Sequence, residues 1–571
     1  MNVKKSKNVK KKSFFFQDYK ESKIIINTTK GNLTKISPNR TAFLFFIFIS
    51  LISIFSLKII YLSLSQEKNY YLLNTNFHFK KGRGDIADRN GVLLARNIDI
   101  HDAAVIPKLV KNKKKLLINL KISIPEIDID IVKKKLNKNK YFYIKRRLTE
   151  EEYTKLWLLG NKAIDFPKRQ NRIYPQKNLF SHVIGQIDDK NNGISGIEKY
   201  FDSKLKKDFV NSSLNLTLDS NLQYLIREEL VKAQDDFNNV GSAAILMDVE
   251  NGEVLSLVSL PDYDLNKRVS IDEDIFTNKI TKGVYELGSV FKTFTVAAGL
   301  ENNLITTDTI FKKLENHIFC SGRKISEHDK LPKDLTVEQI LIRSSNIGAV
   351  RIAQKIGIEK YSNFLDSLEL FKKIDFDIGE VGTPLPFRWG KCKLATASFG
   401  HGITTTPLQL AKAYAILGNG GYKIEPSILK DRKTKKNKKI ISSETSHKIN
   451  SILRKIVLNK EGTANFANIE GFDIAGKTGT ALKSVNGHYT NKKINTFVSL
   501  FPFSKPKYVF LVMLDEPKPA PNFIYEFPNG YKHKGEKRNT SGWNTVVVAG
   551  KIIKKIGPIL AINNLQASNK F

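Results

Sequence analysis

The chain has 571 residues, of which 41% are hydrophobic, enough to bury at least one large core and too apolar for a disordered polymer. Its formal net charge of +37 at 26% charged content fits either an anionic partner or a lysine-rich composition spread along the whole sequence. Its two cysteines, Cys320 and Cys392, are too few for a disulfide framework and stand in no Cys-x-x-Cys or His-rich setting, which argues against zinc.

Residues 1–40 form a basic tail with eleven Lys or Arg against Asp18 and Glu21. Residues 41–64, "TAFLFFIFISLISIFSLKIIYLSL", are long and apolar enough for a helix that crosses a bilayer. The positive-inside rule keeps the tail in the cytoplasm and puts everything after the span outside. A cleaved signal peptide would have a shorter apolar core and a small-x-small site; the nearest match is Ser63-Leu-Ser65, so an uncleaved single-pass anchor is predicted. An outer location argues against nucleic acid as the partner. It also leaves two readings of the cysteines open, one bridge or two buried thiols.

Residues 65–212 read as a heterogeneous membrane-proximal module, with a basic loop "KNKKK" at 111 and a charged helical stretch at 149–160. Asn90-Gly91 between short apolar groups predicts a hairpin. From 213 to 560 the pattern is that of one larger domain, followed by a short tail at 561–571. Asn251-Gly252 sits between "AAILMDVE" and "EVLSLVSL", a second hairpin; helices follow, strands return at 494–515, and "TVVVAGKIIKKIGPIL" closes the domain as a helix. Strands, then helices, then strands predict an α+β fold with helices packed on an antiparallel sheet. The basic run "DRKTKKNKK" at 431–439 reads as a solvated loop.

Chemistry concentrates at three places. Ser289 follows Gly288, opens an apolar helical run, and has Lys292 three residues on, so the two share a face. The spacing alone is weak, since Ser65, Ser203, Ser321, Ser427 and Ser504 also begin Ser-x-x-Lys. A lysine can act as base to a serine only when neutral, which requires burial or a second cation nearby. That cation is available at Lys477, in the chain's one Lys-Thr-Gly, Lys477-Thr478-Gly479-Thr480, on an expected strand whose glycine would leave the edge open to a ligand. Between them "RSSNIGAV" supplies Ser344-x-Asn346 within a helical stretch.

In this order the three elements resemble the penicilloyl serine transferases, that is, penicillin-binding proteins and serine β-lactamases. "RGDIADRNGVLLA", "GISGIEKYFDSKL" and "LTLD" are similar to the membrane-proximal, dimerisation-type module of class B penicillin-binding proteins. "GVYELGSVFKTFTVAAGLE", "LTVEQILIRSSNIGAVRIA" and "FGHGITTTPLQLAKAYA" resemble the division-specific, FtsI-type branch. The resemblance implies a peptidoglycan D,D-transpeptidase of septal wall synthesis in the inner membrane, inhibited by β-lactams. It implies Ser289 as nucleophile on the D-Ala-D-Ala bond of a stem peptide, Lys292 as general base, Ser344 as proton relay and Asn346 as a ligand of the peptide amide that helps hold Lys292. Lys477 would add positive potential, Thr478 and Thr480 would bind the substrate carboxylate beside Gly479, and the N–H groups of Ser289 and Thr480 would form the oxyanion hole. No cofactor or metal is implied. The partners implied are a membrane-embedded glycosyltransferase and division proteins, with Arg83, Asp85 and Arg89, together with Asp88, as candidate contacts or as members of a salt-bridged hairpin.

Elongation-type relatives usually carry Asp where Asn346 stands, which favours the septal branch over an elongation enzyme. A D,D-carboxypeptidase or β-lactamase on the same fold, and an idle scaffold, are the other classes; the anchor and long module weigh against the first two, and the full set of motif residues against the third. His401, in "FGHGITTTP", lies in a tight turn and His182 reads as structural, since lysine already fills the base role.

Overall fold

The computed structural model describes residues 38–76, 82–210, 212–267, 273–430, 438–485, 488–527 and 529–568. The basic tail up to residue 37, residues 431–437 of the basic run and residues 569–571 lie outside them. The chain divides into two units, Met1–His78 and Phe79–Phe571. In the first, helix α1 (Pro38–Asn76) contains Ala42–Tyr61, 20 residues of mean hydropathy 2.6. It is the one helix among the described residues long and apolar enough to cross a membrane.

The second unit begins with a four-stranded sheet in the order Lys168–Ile173, Leu93–His101, Asp85–Ala87, Ser213–Asn215. Gly91, at φ +84°, makes the left-handed turn between antiparallel strands that Asn90-Gly91 predicts. A smaller body packs three helices, Lys113–Ser123, Ile129–Asn137 and Glu150–Leu158, around Leu116, Leu120, Val132, Leu136 and Leu156. The "KNKKK" segment is less of a loop than its charge suggests: the Asn112 side chain accepts the Lys115 N–H at 3.0 Å and starts the first of these helices.

Of the two readings of the hairpin charges, the structure shows the ion pairs, and for Arg83 this corrects the partner-contact reading. Arg83 is fully buried and paired with Glu198 and, at 2.6 Å, with Asp202, while Arg172 reaches the other Glu198 oxygen at 2.7 Å. Buried arginine needs such partners, and the pairing leaves Arg83 no surface to offer another protein. Asp85 is buried against Arg96 at 2.7 Å, and Asp88 accepts from Ser220 N and Oγ to hold the start of the next helix. Arg89 alone of the candidates keeps a partly exposed side chain, 3.6 Å from Glu253.

That next helix, α2 (Ser220–Phe237), is capped by Asp219. Strands β1 (Gly241–Asp248) and β2 (Val254–Leu260) pair across the Asn251-Gly252 turn. Helices α3 (Lys292–Glu301), α4 (Asn346–Ile356), α5 (Lys391–Ala397), α6 (Pro407–Gly418) and α7 (Ser443–Leu458) follow. Strands β3 (Ala475–Val485), β4 (His488–Phe501) and β5 (Tyr508–Asp515) and helix α8 (Thr545–Ser568) complete the domain.

The sheet is antiparallel throughout, in the order β3-β4-β5-β1-β2, so β3 is an edge strand. Every residue of β1, β2 and β5 is buried, as two covered faces require. Helices α2 and α8 pack on each other and against the sheet, as do α6 and α7. This is the α+β architecture that the sequence pattern predicts. Cys320 and Cys392 are joined in a disulfide, their Cα atoms 5.5 Å apart, which decides between the two readings of the pair.

Candidate active site

The site assembles where helix α3 meets the edge strand β3. Gly288–Phe291 form one 3₁₀ turn, and the Lys292 N–H donates to the Ser289 carbonyl as α3 begins. In a 3₁₀ turn residues i and i+3 eclipse, so Ser289 and Lys292 share a face more closely than an α-helical start would bring them. Ser289 is half-buried between the buried Gly288 and Val290, and residues 292–300 of α3 are all buried.

Two glycines allow the turn and the strand to touch. Gly288 has φ +64°, and a Cβ there would lie 2.6 Å from the Thr480 carbonyl oxygen. A Cβ on Gly479 would meet the Leu287 carbonyl oxygen at 2.3 Å. Gly479 therefore serves the packing of the serine turn against β3, a role the sequence reading did not include. The contact brings the backbone N–H groups of Ser289 and Thr480 into one neighbourhood.

Ser344 does not lie in a helix as predicted. It occupies a left-handed turn, φ +59°, between helix Val337–Ile342 and α4, with its N–H donating to Leu341 and that of Ser345 to Ile340. Such a conformation is costly for a non-glycine residue and persists where the surroundings impose it. Here both lysines do: Lys292 Nζ lies 3.1 Å and Lys477 Nζ 3.0 Å from Ser344 Oγ, and Lys292 also donates to the Ser344 carbonyl. Lys292 thus binds Ser344 in this structure, with Ser289 one turn behind it.

Both lysines are fully buried. Burial pulls the Lys292 amine down to about 7, with the Glu327 carboxylate opposing, and burial together with Lys292 holds Lys477 far below the ordinary lysine range. Both conditions for a neutral lysine, burial and a second cation, are therefore present.

The remaining residues are placed as follows. Asn346 donates from Nδ2 to the Ser326 carbonyl at 2.8 Å, and its Oδ1 is buried without a hydrogen-bond partner. The Thr478 and Thr463 hydroxyls pair at 2.7 Å, and Thr480 Oγ1 accepts the Ser541 N–H at 3.1 Å. His401 stacks on Tyr489 at 4.4 Å with Nδ1 3.5 Å from Glu286, in a turn whose Gly400 packs on Gly288. His182 is buried, Nε2 2.7 Å from the Ile275 carbonyl, a structural histidine. Sequence reading missed Glu327, whose carboxylate holds the start of α4; an acidic residue 18 positions ahead of its partner carries no local signal.

A serine at a helix start, one turn from a buried lysine whose amine shares Ser344 with a second buried amine, is an arrangement suited to serine acyl transfer. The profile of the penicillin binding protein transpeptidase domain matches residues 242–533, and that of the penicillin-binding protein dimerisation domain matches residues 80–208. With half its length in the first match, the chain belongs to the penicillin-binding protein transpeptidase family, a family of serine acyltransferases. It is similar to the peptidoglycan D,D-transpeptidase FtsI of Buchnera aphidicola, 30% identical over 560 residues, 88% of this chain and 94% of that one. The protein of the same name from Escherichia coli is 28% identical over 483 residues, 76% and 79% of the two chains. Penicillin binding protein 3 of Mycobacterium tuberculosis, solved with aztreonam, shares the fold over 85% of this chain and 97% of that one, with a TM-score of 0.64 at 20% identity.

Proposed function

We propose that the protein is a single-pass, inner-membrane peptidoglycan D,D-transpeptidase of the division septum, with its N-terminus in the cytoplasm and its acyl-transfer domain in the periplasm. The convergence of Lys292 and Lys477 on Ser344 Oγ beside Ser289 carries the catalytic part. The apolar helix, the basic tail before it and the FtsI relatives support the placement.

Neutral Lys292 takes the Ser289 proton as Oγ attacks the carbonyl of the D-Ala-D-Ala bond. The N–H groups of Ser289 and Thr480 receive the negative charge that develops on the carbonyl oxygen. Ser344, bridging the two amines, passes a proton to the departing D-alanine nitrogen. An amine of a second stem peptide then attacks the acyl-enzyme, and its proton returns along the same path to Ser289. Lys477 supplies positive potential, Asn346 Oδ1 accepts from the peptide amide while Nδ2 stays on the Ser326 carbonyl, and Thr478 and Thr480 receive the substrate carboxylate. A β-lactam enters as a strained copy of the same peptide. The module before residue 213, through Arg89 and its neighbours, would meet the glycosyltransferase and division partners.

A pentapeptide ending in D-Ala-D-Ala, incubated with the protein and a free D-amino acid, separates the chemistries. Exchange of the terminal residue supports the transpeptidase; a shortened peptide alone marks a carboxypeptidase. A fluorescent fusion spread along the lateral wall without midcell enrichment contradicts the septal role.

A further inference from the structure

The turn bearing Ser344 and the start of α4 bearing Asn346 are held from outside by two residues. Glu327 Oε2 accepts the Asn346 N–H at 2.8 Å, and Oε1 accepts the Ile347 N–H at 2.9 Å and the Ser345 hydroxyl at 2.6 Å. Ser345 Oγ in turn caps Gly348 N at 2.9 Å. The preceding carbonyl, of Ser326, fixes the Asn346 side chain. A carboxylate at the N-terminus of this 11-residue helix satisfies donors that the helix itself leaves open and suits its dipole. The same carboxylate is the acidic group that acts on Lys292. The other charged or titratable groups around that amine are Lys477, across Ser344, and His328, which is itself influenced by Asp329 and Lys493.

Glu327 is delivered by a two-stranded ribbon, His317–Cys320 paired with Arg323–Ser326, reversed at Ser321 and Gly322, both with positive φ. A lone two-stranded ribbon is marginal in water, and of its strand residues only Ile325 is buried. The ribbon is pinned twice. Its base is held by Glu327 on α4, and its turn end by the Cys320–Cys392 bridge to α5. Helix α5 runs into Ser398, whose carbonyl accepts Thr295 Oγ1 of α3 at 2.7 Å, and then into Gly400, packed on Gly288. The bridge therefore ties the ribbon to the wall that supports the nucleophile turn.

We propose that Glu327 is a positioning residue of the acylation site, setting Ser344 and Asn346 against Lys292, and that the Cys320–Cys392 bridge is the staple that keeps Glu327 in register. The proposal rests on the transpeptidase reading above. Glutamine at 327 keeps the shape but sets an amide donor against a backbone donor and removes the negative charge beside Lys292. Aspartate keeps the charge on a shorter stem.

The test is the rate of acylation of the full-length, detergent-solubilised protein by a fluorescent penicillin between pH 5.5 and 9, for wild type, E327Q, E327D, C320S/C392S and the triple variant. The expected result is a tenfold or greater loss for E327Q, with the rising limb of its pH profile moved to lower pH because the amine loses its acidic neighbour. E327D keeps the limb in place and recovers part of the rate. C320S/C392S loses three- to tenfold, and E327Q adds less on that background than alone, since both changes free the same segment. Melting curves identify any variant that has unfolded, and the E327D comparison then carries the test. Acylation of E327Q at the wild-type rate with an unmoved limb, or full multiplicativity of the two changes, would overturn the proposal. A wild-type protein that takes no label would instead overturn the transpeptidase reading.

Discussion

Lys292 and Lys477 donate to one oxygen: their Nζ atoms lie 3.1 and 3.0 Å from Ser344 Oγ. Two buried ammonium ions sharing one neutral partner repel and lose hydration, so the arrangement favours at least one free amine at neutral pH. A free amine is what the serine needs as base. Acylation by a labelled penicillin should rise with pH through about 7 as Lys292 loses its proton. A profile flat from pH 5.5 to 8.5 would remove Lys292 from that role.

The same burial costs stability. In the unfolded chain a lysine keeps its proton to about pH 10.4, whereas the folded site releases it from Lys292 near 7. Between those values the unfolded state binds more protons, so this group's contribution to stability rises with pH across the window. Lys292→Met should therefore melt above wild type at pH 7, with the gap narrowing toward pH 9.5. Differential scanning calorimetry at several pH values checks it.

Gly479→Ala should disable the site through the backbone. The new methyl group would stand 2.3 Å from the Leu287 carbonyl oxygen, forcing β3 and the serine turn apart. A shift of about 1 Å between reacting groups costs on the order of 100-fold in rate. The acylation rate constant is the measurement, and Gly91→Ala is the control. Gly91 also has positive φ, but its Cβ would meet nothing within 4 Å and it lies outside the site.

Arg83→Ala should leave Glu198 with one guanidinium in place of two in a buried setting. Removing one member of a buried ion pair typically costs about 3–5 kcal/mol. The expected outcome is a lower thermal midpoint and faster proteolysis within residues 82–210, with acylation at low temperature changed less than about twofold. An unchanged midpoint would mean that Arg83 can be spared from the module's core.

Much of this was legible in the sequence. The long apolar helix, both Asn-Gly hairpins and the α+β order follow from local pattern, and the serine-lysine spacing and Lys477-Thr478-Gly479 mark the site because each motif is short. What local pattern could not show depends on distant partners. Arg83 reads equally as a partner contact or as a salt-bridged charge until Glu198 arrives from 115 residues away. Gly479 reads as ligand clearance, and its packing against Leu287 has no local signal. Ser344 reads as helical, because nothing in "RSSNIGAV" announces a left-handed turn that two remote lysines and Glu327 support.

The central claim, that Ser289 is the acylated nucleophile, is tested most directly by mass spectrometry of the full-length protein after exposure to penicillin. Wild type should gain the mass of one penicilloyl group, mapped to the peptide containing Ser289, and Ser289→Ala should gain none while melting as wild type does. An adduct on the Ser289→Ala protein, or one mapped to another residue of the wild type, would contradict the account.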